Sequence, residues 1–133
     1  DIEGSTRLSH CAPEAYTAAR ERHHALLRQE FAHHGGREVM ETGDGFVVAF
    51  PTAASAMVCA LAAQAALRAE AWPNPVSGLA VRMALHTGDV RPAMQDGEDQ
   101  GVVLHYGGRL LTAAHGGQIL VSDTTAALVQ QAG

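Results

Sequence analysis

His34-Gly35-Gly36-Arg37-Glu38-Val39-Met40-Glu41-Thr42-Gly43-Asp44-Gly45-Phe46-Val47-Val48-Ala49-Phe50 decides the fold. Two short strand-like runs, 37–41 and 45–50, flank Thr42-Gly43-Asp44-Gly45, a strong hairpin-turn signal. Gly35-Gly36 stops whatever precedes the hairpin. Upstream, Pro13 suits a first helical turn, and Ala19, His23, Leu26, Leu27 and Phe31 recur at helical spacing. Downstream, Thr52 can cap a helix that runs through an Ala-rich stretch to about Trp72, where Pro73-Asn74-Pro75 ends it.

Further on, Leu79, Val81, Met83 and Leu85 alternate as a strand does. Residues 89–100 are polar and loop-like. A helix is expected over 101–114, closed by Gly116-Gly117, then a short strand over 118–121. Ser122 caps a last helix, with Asp123 in its first turn. The order is helix, strand, strand, helix, strand, helix, strand, helix. With a strand leading into Asp1, the first half becomes βαββαβ. That is an α+β, ferredoxin-like palm with an extra C-terminal helix-strand-helix.

Composition bounds the function. The chain has 133 residues, 47% hydrophobic and 17% charged, which fits one folded domain over 1–133. It opens at Asp1 without a Met and is expected to be truncated at both ends. Its net charge is -5, and all nine basic residues are arginines, so a nucleic-acid partner is not expected. The densest basic stretch, Arg20 to Arg28, is interrupted by Glu21 and reads as a solvated helix face. The Ala-rich helix carries Gln64, Arg68 and Glu70 and does not read as a membrane span. Cys11 and Cys59 do not make a disulfide framework; Cys59 reads as a buried free thiol, and a reducing, cytoplasmic setting is expected. The pairs His23-His24 and His33-His34 read as solvated histidines rather than metal ligands.

Two acidic points remain. Asp1 begins Asp-Ile-Glu-Gly-Ser-Thr-Arg-Leu, and Asp44 sits at the hairpin tip. In a βαββαβ fold the first strand lies beside the hairpin, which brings Asp1 and Asp44 to one edge. Two carboxylates there suit a hard cation such as Mg²⁺ or Mn²⁺. Gly4, Ser5 and Thr6 follow, entering a turn before a helix, and their backbone N–H groups suit phosphates. Taken singly, each piece is ordinary turn or cap chemistry.

The sequence resembles class III adenylate and guanylate cyclases, in their bacterial branch. Asp1 to Leu8 resembles the family's opening motif, and His34-Gly35-Gly36-Arg37 with Thr42-Gly43-Asp44-Gly45-Phe46 resembles the second. Val81-Arg82-Met83-Ala84-Leu85-His86-Thr87-Gly88 resembles the central strand. Gly108-Arg109-Leu110 and Ala113-Ala114-His115-Gly116-Gly117-Gln118 resemble the helix and turn that follow. The resemblance implies conversion of ATP to 3′,5′-cyclic AMP and pyrophosphate in signalling, with GTP as the alternative substrate. It implies two ions, Mg²⁺ or Mn²⁺, held by Asp1, Asp44 and the Ile2 carbonyl. The β- and γ-phosphates would lie on the turn formed by Ile2, Glu3, Gly4, Ser5 and Thr6. It further implies a homodimer with active sites at the interface, the second subunit supplying Arg109 and, one turn earlier, the residue at position 105.

The sequence departs from the family at three places. His105 stands where the family has an Asn that orients the ribose; an imidazole substitutes only in part. Met40 stands where a Lys or Glu reads the base, and the partner base-reading position falls at Glu98. Gly107 and Gly108 each cost a helix about 1 kcal/mol relative to Ala. The alternative to the enzyme is therefore a degenerate cyclase-homology domain acting as a dimerisation or nucleotide-sensing module.

Overall fold

A computed structural model describes residues 1–88 and 98–132, with the backbone alone at 98–102 and 132. The elements are α1 (Ser5–Cys11), α2 (Pro13–His33), β1 (Arg37–Glu41), β2 (Phe46–Ala49), α3 (Ala53–Ala69), β3 (Met83–Leu85), α4 (Glu98–Ala113), β4 (Ile119–Val121) and α5 (Asp123–Ala132). The order matches the sequence reading except at the start. There a short additional helix, α1, precedes the expected one, and Ala12 between them takes a φ of -146°, which is not helical. Pro13 lacks the N–H that a continuing helix would use and so opens α2 instead.

β1 and β2 form an antiparallel pair, and β3 and β4 a parallel pair. A single antiparallel bridge, Ile2 to Val81, takes the place of the palm's first strand. It is extended by hydrogen bonds from Glu3 N to Ala80 O (2.9 Å) and from Arg82 N to Asp1 O (2.7 Å). The strand read over 79–86 is regular only at Met83–Leu85. Gly78, at φ 79°, and the hydrogen bond from Leu79 N to Val76 O turn the chain just before it.

The core forms where α2 and α3 pack beneath that bridge. Ile2, Leu26, Leu27, Ala63, Leu67 and Val81 are buried together, with Phe31, Phe46 and Trp72 closing the edges. Burying each of the Ile, Leu and Val side chains contributes roughly 1.5–3 kcal/mol. Gln64 is the polar exception inside α3. Its Nε2 donates to Val81 O at 2.9 Å, which satisfies both groups and ties α3 to the central bridge. Thr52 caps α3 as expected, accepting from Ser55 N at 3.0 Å. Cys59 is a buried free thiol, and burial pushes its pKa up to about 11.

The helix α4 starts at Glu98, three residues before its expected start. Residues 89–97 lie outside the described set, as does the Glu98 side chain. Among the described residues, no helix is long and apolar enough to cross a membrane.

Candidate functional site

Asp1 and Asp44 come from different segments of the chain, and the backbone joins them. Ile2 N donates to Asp44 O at 3.0 Å. The turn between β1 and β2 closes through Thr42 N to Gly45 O and Asp44 N to Thr42 O, both 2.9 Å. Gly43 takes φ 82°, a conformation that suits glycine. Gly45 is needed for a second reason: a Cβ there would stand 2.9 Å from the Asp1 Cα. The chain from Asp1 to Glu3 thus lies between the hairpin turn on one side and residues 80–82 on the other.

The side chains follow that backbone. Ser5 Oγ donates to Asp44 Oδ2 at 2.8 Å, so the α1 start and the hairpin tip are tied directly. The Asp1 carboxylate receives the Arg82 guanidinium in a two-pronged pair, Nε to Oδ1 and Nη2 to Oδ2, each 2.8 Å. Both partners are less than a third exposed. A fork of this kind is among the stronger charge-assisted hydrogen bonds.

The expected phosphate turn divides in two. The backbone N–H groups of Ile2 and Glu3 are engaged by Asp44 O and Ala80 O. Gly4, at φ 71°, precedes α1, and Ser5 and Thr6 open it, so their N–H groups belong to a first turn, where helical partners are lacking. Glu3 turns its carboxylate away to accept from Gly116 N. Ile2 itself is 1% exposed.

Met40 lies on β1 with its side chain 48% exposed. The register shifts between Glu38 and Met40, so a bulge is present, but Met40 and Glu41 still pair with successive residues, Val47 and Phe46. Glu41 is engaged by α2, through Arg28 at 3.5 Å and His24 at 3.2 Å. The bulge therefore does not bring Glu41 to the Met40 position. His105 and Arg109 are exposed, one turn apart on α4. Neither has a side-chain hydrogen bond to Asp1 or Asp44 among the described residues.

Two features escaped the sequence reading. Arg82 has no role in the sequence reading beyond its place in the central-strand motif; an arginine directly after buried Val81, beside the segment carrying Asp1, is the available signal. The second is a correction. His23 and His24 are 0% and 4% exposed, not solvated. Their Nδ1 atoms lie 2.8 Å apart, and both rings pack on Phe46. The helical stripe of Ala19, His23, Leu26 and Leu27 already placed His23 on the core face. His24 reaches the same space because its ring leans under Phe46, although adjacent helical residues diverge at Cα. Arg22 and Arg28 of the basic stretch are solvent-exposed, as expected, and paired: Arg28 with Glu38 at 2.9 Å and Arg22 with Glu70 at 2.9 Å, while Arg20 Nε donates to Gly43 O. His33 is exposed, as expected.

No family model matches the chain. An adenylate cyclase of Podospora anserina is 34% identical over 98% of the chain, and one of Lachancea kluyveri is 34% identical over 92% of it. The chain spans only 7% and 8% of the length of those two proteins. Among solved structures, an adenylate cyclase of Trypanosoma brucei superposes with a TM-score of 0.83 at 22% identity, over 98% of this chain and 76% of that one. An adenylate/guanylate cyclase/hydrolase from Silicibacter pomeroyi gives 0.68 at 27% identity, over the same shares of the two chains.

Proposed function

We propose that this domain, which has the class III adenylate and guanylate cyclase fold, is a metal-dependent nucleotidyl cyclase converting ATP to 3′,5′-cyclic AMP and pyrophosphate. One observation carries the reading: the Ile2 N to Asp44 O hydrogen bond sets the two acidic residues side by side at the edge of the palm.

The residues there fit divalent cations. Two carboxylates form a hard-oxygen donor set, and the Arg82 guanidinium that engages both Asp1 oxygens is the charge an ion at Asp1 would compete with. Among the described residues no group of three or more His, Cys, Asp or Glu gathers in one place, so any ion here would complete its shell with water, phosphate oxygens and the Ile2 carbonyl. Asp1 and Asp44 would hold Mg²⁺ or Mn²⁺, whose bound charge offsets that of the triphosphate and lowers the pKa of the attacking hydroxyl.

The protein's own part is positioning. Gly4, Ser5 and Thr6 present the N–H groups of the first α1 turn to the β- and γ-phosphates, and Ser5 also holds Asp44 in place. The ribose 3′-oxygen bonds to the α-phosphorus, the bond from that phosphorus to the β-bridging oxygen breaks, pyrophosphate leaves and the hydroxyl proton passes to solvent. Arg109, from a second copy of the chain in a homodimer, stabilises the charge gathering on the α-phosphate. His105, one turn away, faces the ribose. Met40 would pack on the base, and Glu98 is the position that would supply an acceptor to it. The exposure of His105 and Arg109 supports a role toward another copy of the chain.

The test is product formation. The domain with Mn²⁺ and ATP should release cyclic AMP and pyrophosphate in equal amounts, and Asp44→Ala should reduce this to background. The second reading, a nucleotide-sensing module with little turnover, rests on the exposed Met40, which offers the base no hydrogen bond. Nucleotide binding without product from ATP or GTP would select it.

A further inference from the structure

The turn that carries Asp44 is held from two sides. Ile2 holds one side; α2 holds the other, at three successive points of the hairpin end. Arg20 Nε donates to Gly43 O. The His24 Nε2 atom lies 3.2 Å from Glu41 Oε1. The rings of His23 and His24 lie against Phe46, with centroids 6.3 Å and 4.5 Å away. Glu41, Gly43 and Phe46 bracket Asp44, so α2 meets the turn on both flanks.

The two histidines are bound to each other through their rings. Two neutral imidazoles with Nδ1 atoms 2.8 Å apart share one hydrogen between those atoms. The Nε2 atoms of both rings have no hydrogen-bond partner among the described residues, and both side chains are buried. His24 Nε2 lies close to Glu41 Oε1 without a directional hydrogen bond to it. A buried polar pair that leaves nitrogens unsatisfied is costly against an apolar pair of similar shape. Packing alone would be better served by leucines, so the pair needs a reason other than stability.

We propose that His23 and His24, with Arg20, are positioning residues that fix the Asp44 turn against Ile2 through Phe46, Glu41 and Gly43. The proposal rests on the reading of Asp44 as a cation ligand for its functional meaning, though not for its geometry. Neither histidine is proposed to touch substrate or ion.

The experiment compares wild type with His23→Asn, His23→Leu and Arg20→Gln, by amide hydrogen exchange and by Mn²⁺ titration. Asn keeps a polar atom near the Nδ1 position; Leu keeps the volume and loses the hydrogen-bonding group. His23→Leu and Arg20→Gln should speed exchange at Ile2 and Thr42 about tenfold, while α3 amides change less than twofold, and should weaken Mn²⁺ binding in the presence of ATP about tenfold. His23→Asn should return both within threefold of wild type. Unchanged exchange at Ile2 and Thr42 in both His23→Leu and Arg20→Gln overturns the proposal. So does equal impairment in His23→Asn and His23→Leu, which would assign the effect to ring packing. If His23→Leu does not fold, His24→Gln takes its place, with the same exchange result expected and the same unchanged result overturning it. If wild type itself binds no Mn²⁺ that Asp44→Ala removes, the cation reading fails, and the exchange data still decide the positioning.

Discussion

Arg82 and Asp1 meet through both backbone and side chain: Arg82 N donates to Asp1 O at 2.7 Å, and the guanidinium grips the carboxylate with two bonds of 2.8 Å. The backbone bonds belong to the sheet and persist whatever the side chain does. The side-chain pair places a cation against the carboxylate proposed to receive a metal ion. Arg82→Gln should therefore have two opposed effects. The metal-free domain should lose about 1–3 kcal/mol, because a partly buried carboxylate is left without its partner. The rise in melting temperature on adding Mn²⁺ should become larger than in wild type, because the ion no longer competes with a guanidinium. Thermal denaturation with and without Mn²⁺ reads both.

Gly45 is a steric requirement of the site. Its Cβ would stand 2.9 Å from one backbone atom of Asp1 and 3.0 Å from its Cβ, and neither can move without disturbing the sheet. Gly45→Ala should cost about 1–3 kcal/mol from overpacking and reduce cyclic AMP formation more than it reduces stability. Gly107→Ala, where a Cβ would meet nothing within 4 Å, should instead stabilise the domain by up to about 1 kcal/mol. Urea denaturation of the two variants, side by side with turnover, checks the contrast.

The buried His23 predicts an acid limb of stability. Burial, then the charges of His24, the Asp1 amino group and Arg20, bring its pKa down from 6.5 to about 3. His24 is also pushed down, by burial, Arg20 and Arg28, against an opposing pull from Glu41. An unfolded chain takes up a proton at His23 near pH 6.5, and the folded chain does not until about pH 3. Over that window the unfolded state binds more protons, so stability falls as pH falls, by up to about 1.4 kcal/mol per unit from this residue. Above 6.5 the contribution is complete and flat. His23→Asn should flatten the slope between pH 6 and 4, as measured by the denaturation midpoint at each pH.

His105 occupies a position one turn from Arg109 on the exposed face of α4. If it orients the ribose less well than a carboxamide, His105→Asn should raise turnover by about tenfold, or about 1.4 kcal/mol of barrier, with the ATP KM little changed. A drop in turnover would show that the imidazole has a role of its own.

Much of this architecture could be read from local signals. Thr42 to Gly45 specified a hairpin because Gly43 supplies the left-handed conformation; Thr52 and Ser122 specified helix starts because their hydroxyls accept backbone N–H groups. Asp1 and Asp44 could be paired in advance because topology places the first strand beside the hairpin. What could not be read depended on side-chain reach. The Arg82 fork needs a bridge between residues 81 positions apart. The His23–His24 contact needs Phe46 overhead, and the rule that adjacent helical residues diverge pointed the wrong way. The Pro13 break was visible as a helix start but not as the end of a separate α1.

The central claim is that Asp1 and Asp44 act as one cation site, and a double-mutant cycle on Mn²⁺ affinity in the presence of ATP tests it most directly. Asp1→Asn and Asp44→Asn should each weaken Mn²⁺ binding about a hundredfold, and the double variant should be little weaker than either, as for groups acting as a unit. Two fully additive losses, or an Asp44→Asn variant that binds Mn²⁺ as wild type does, would contradict it.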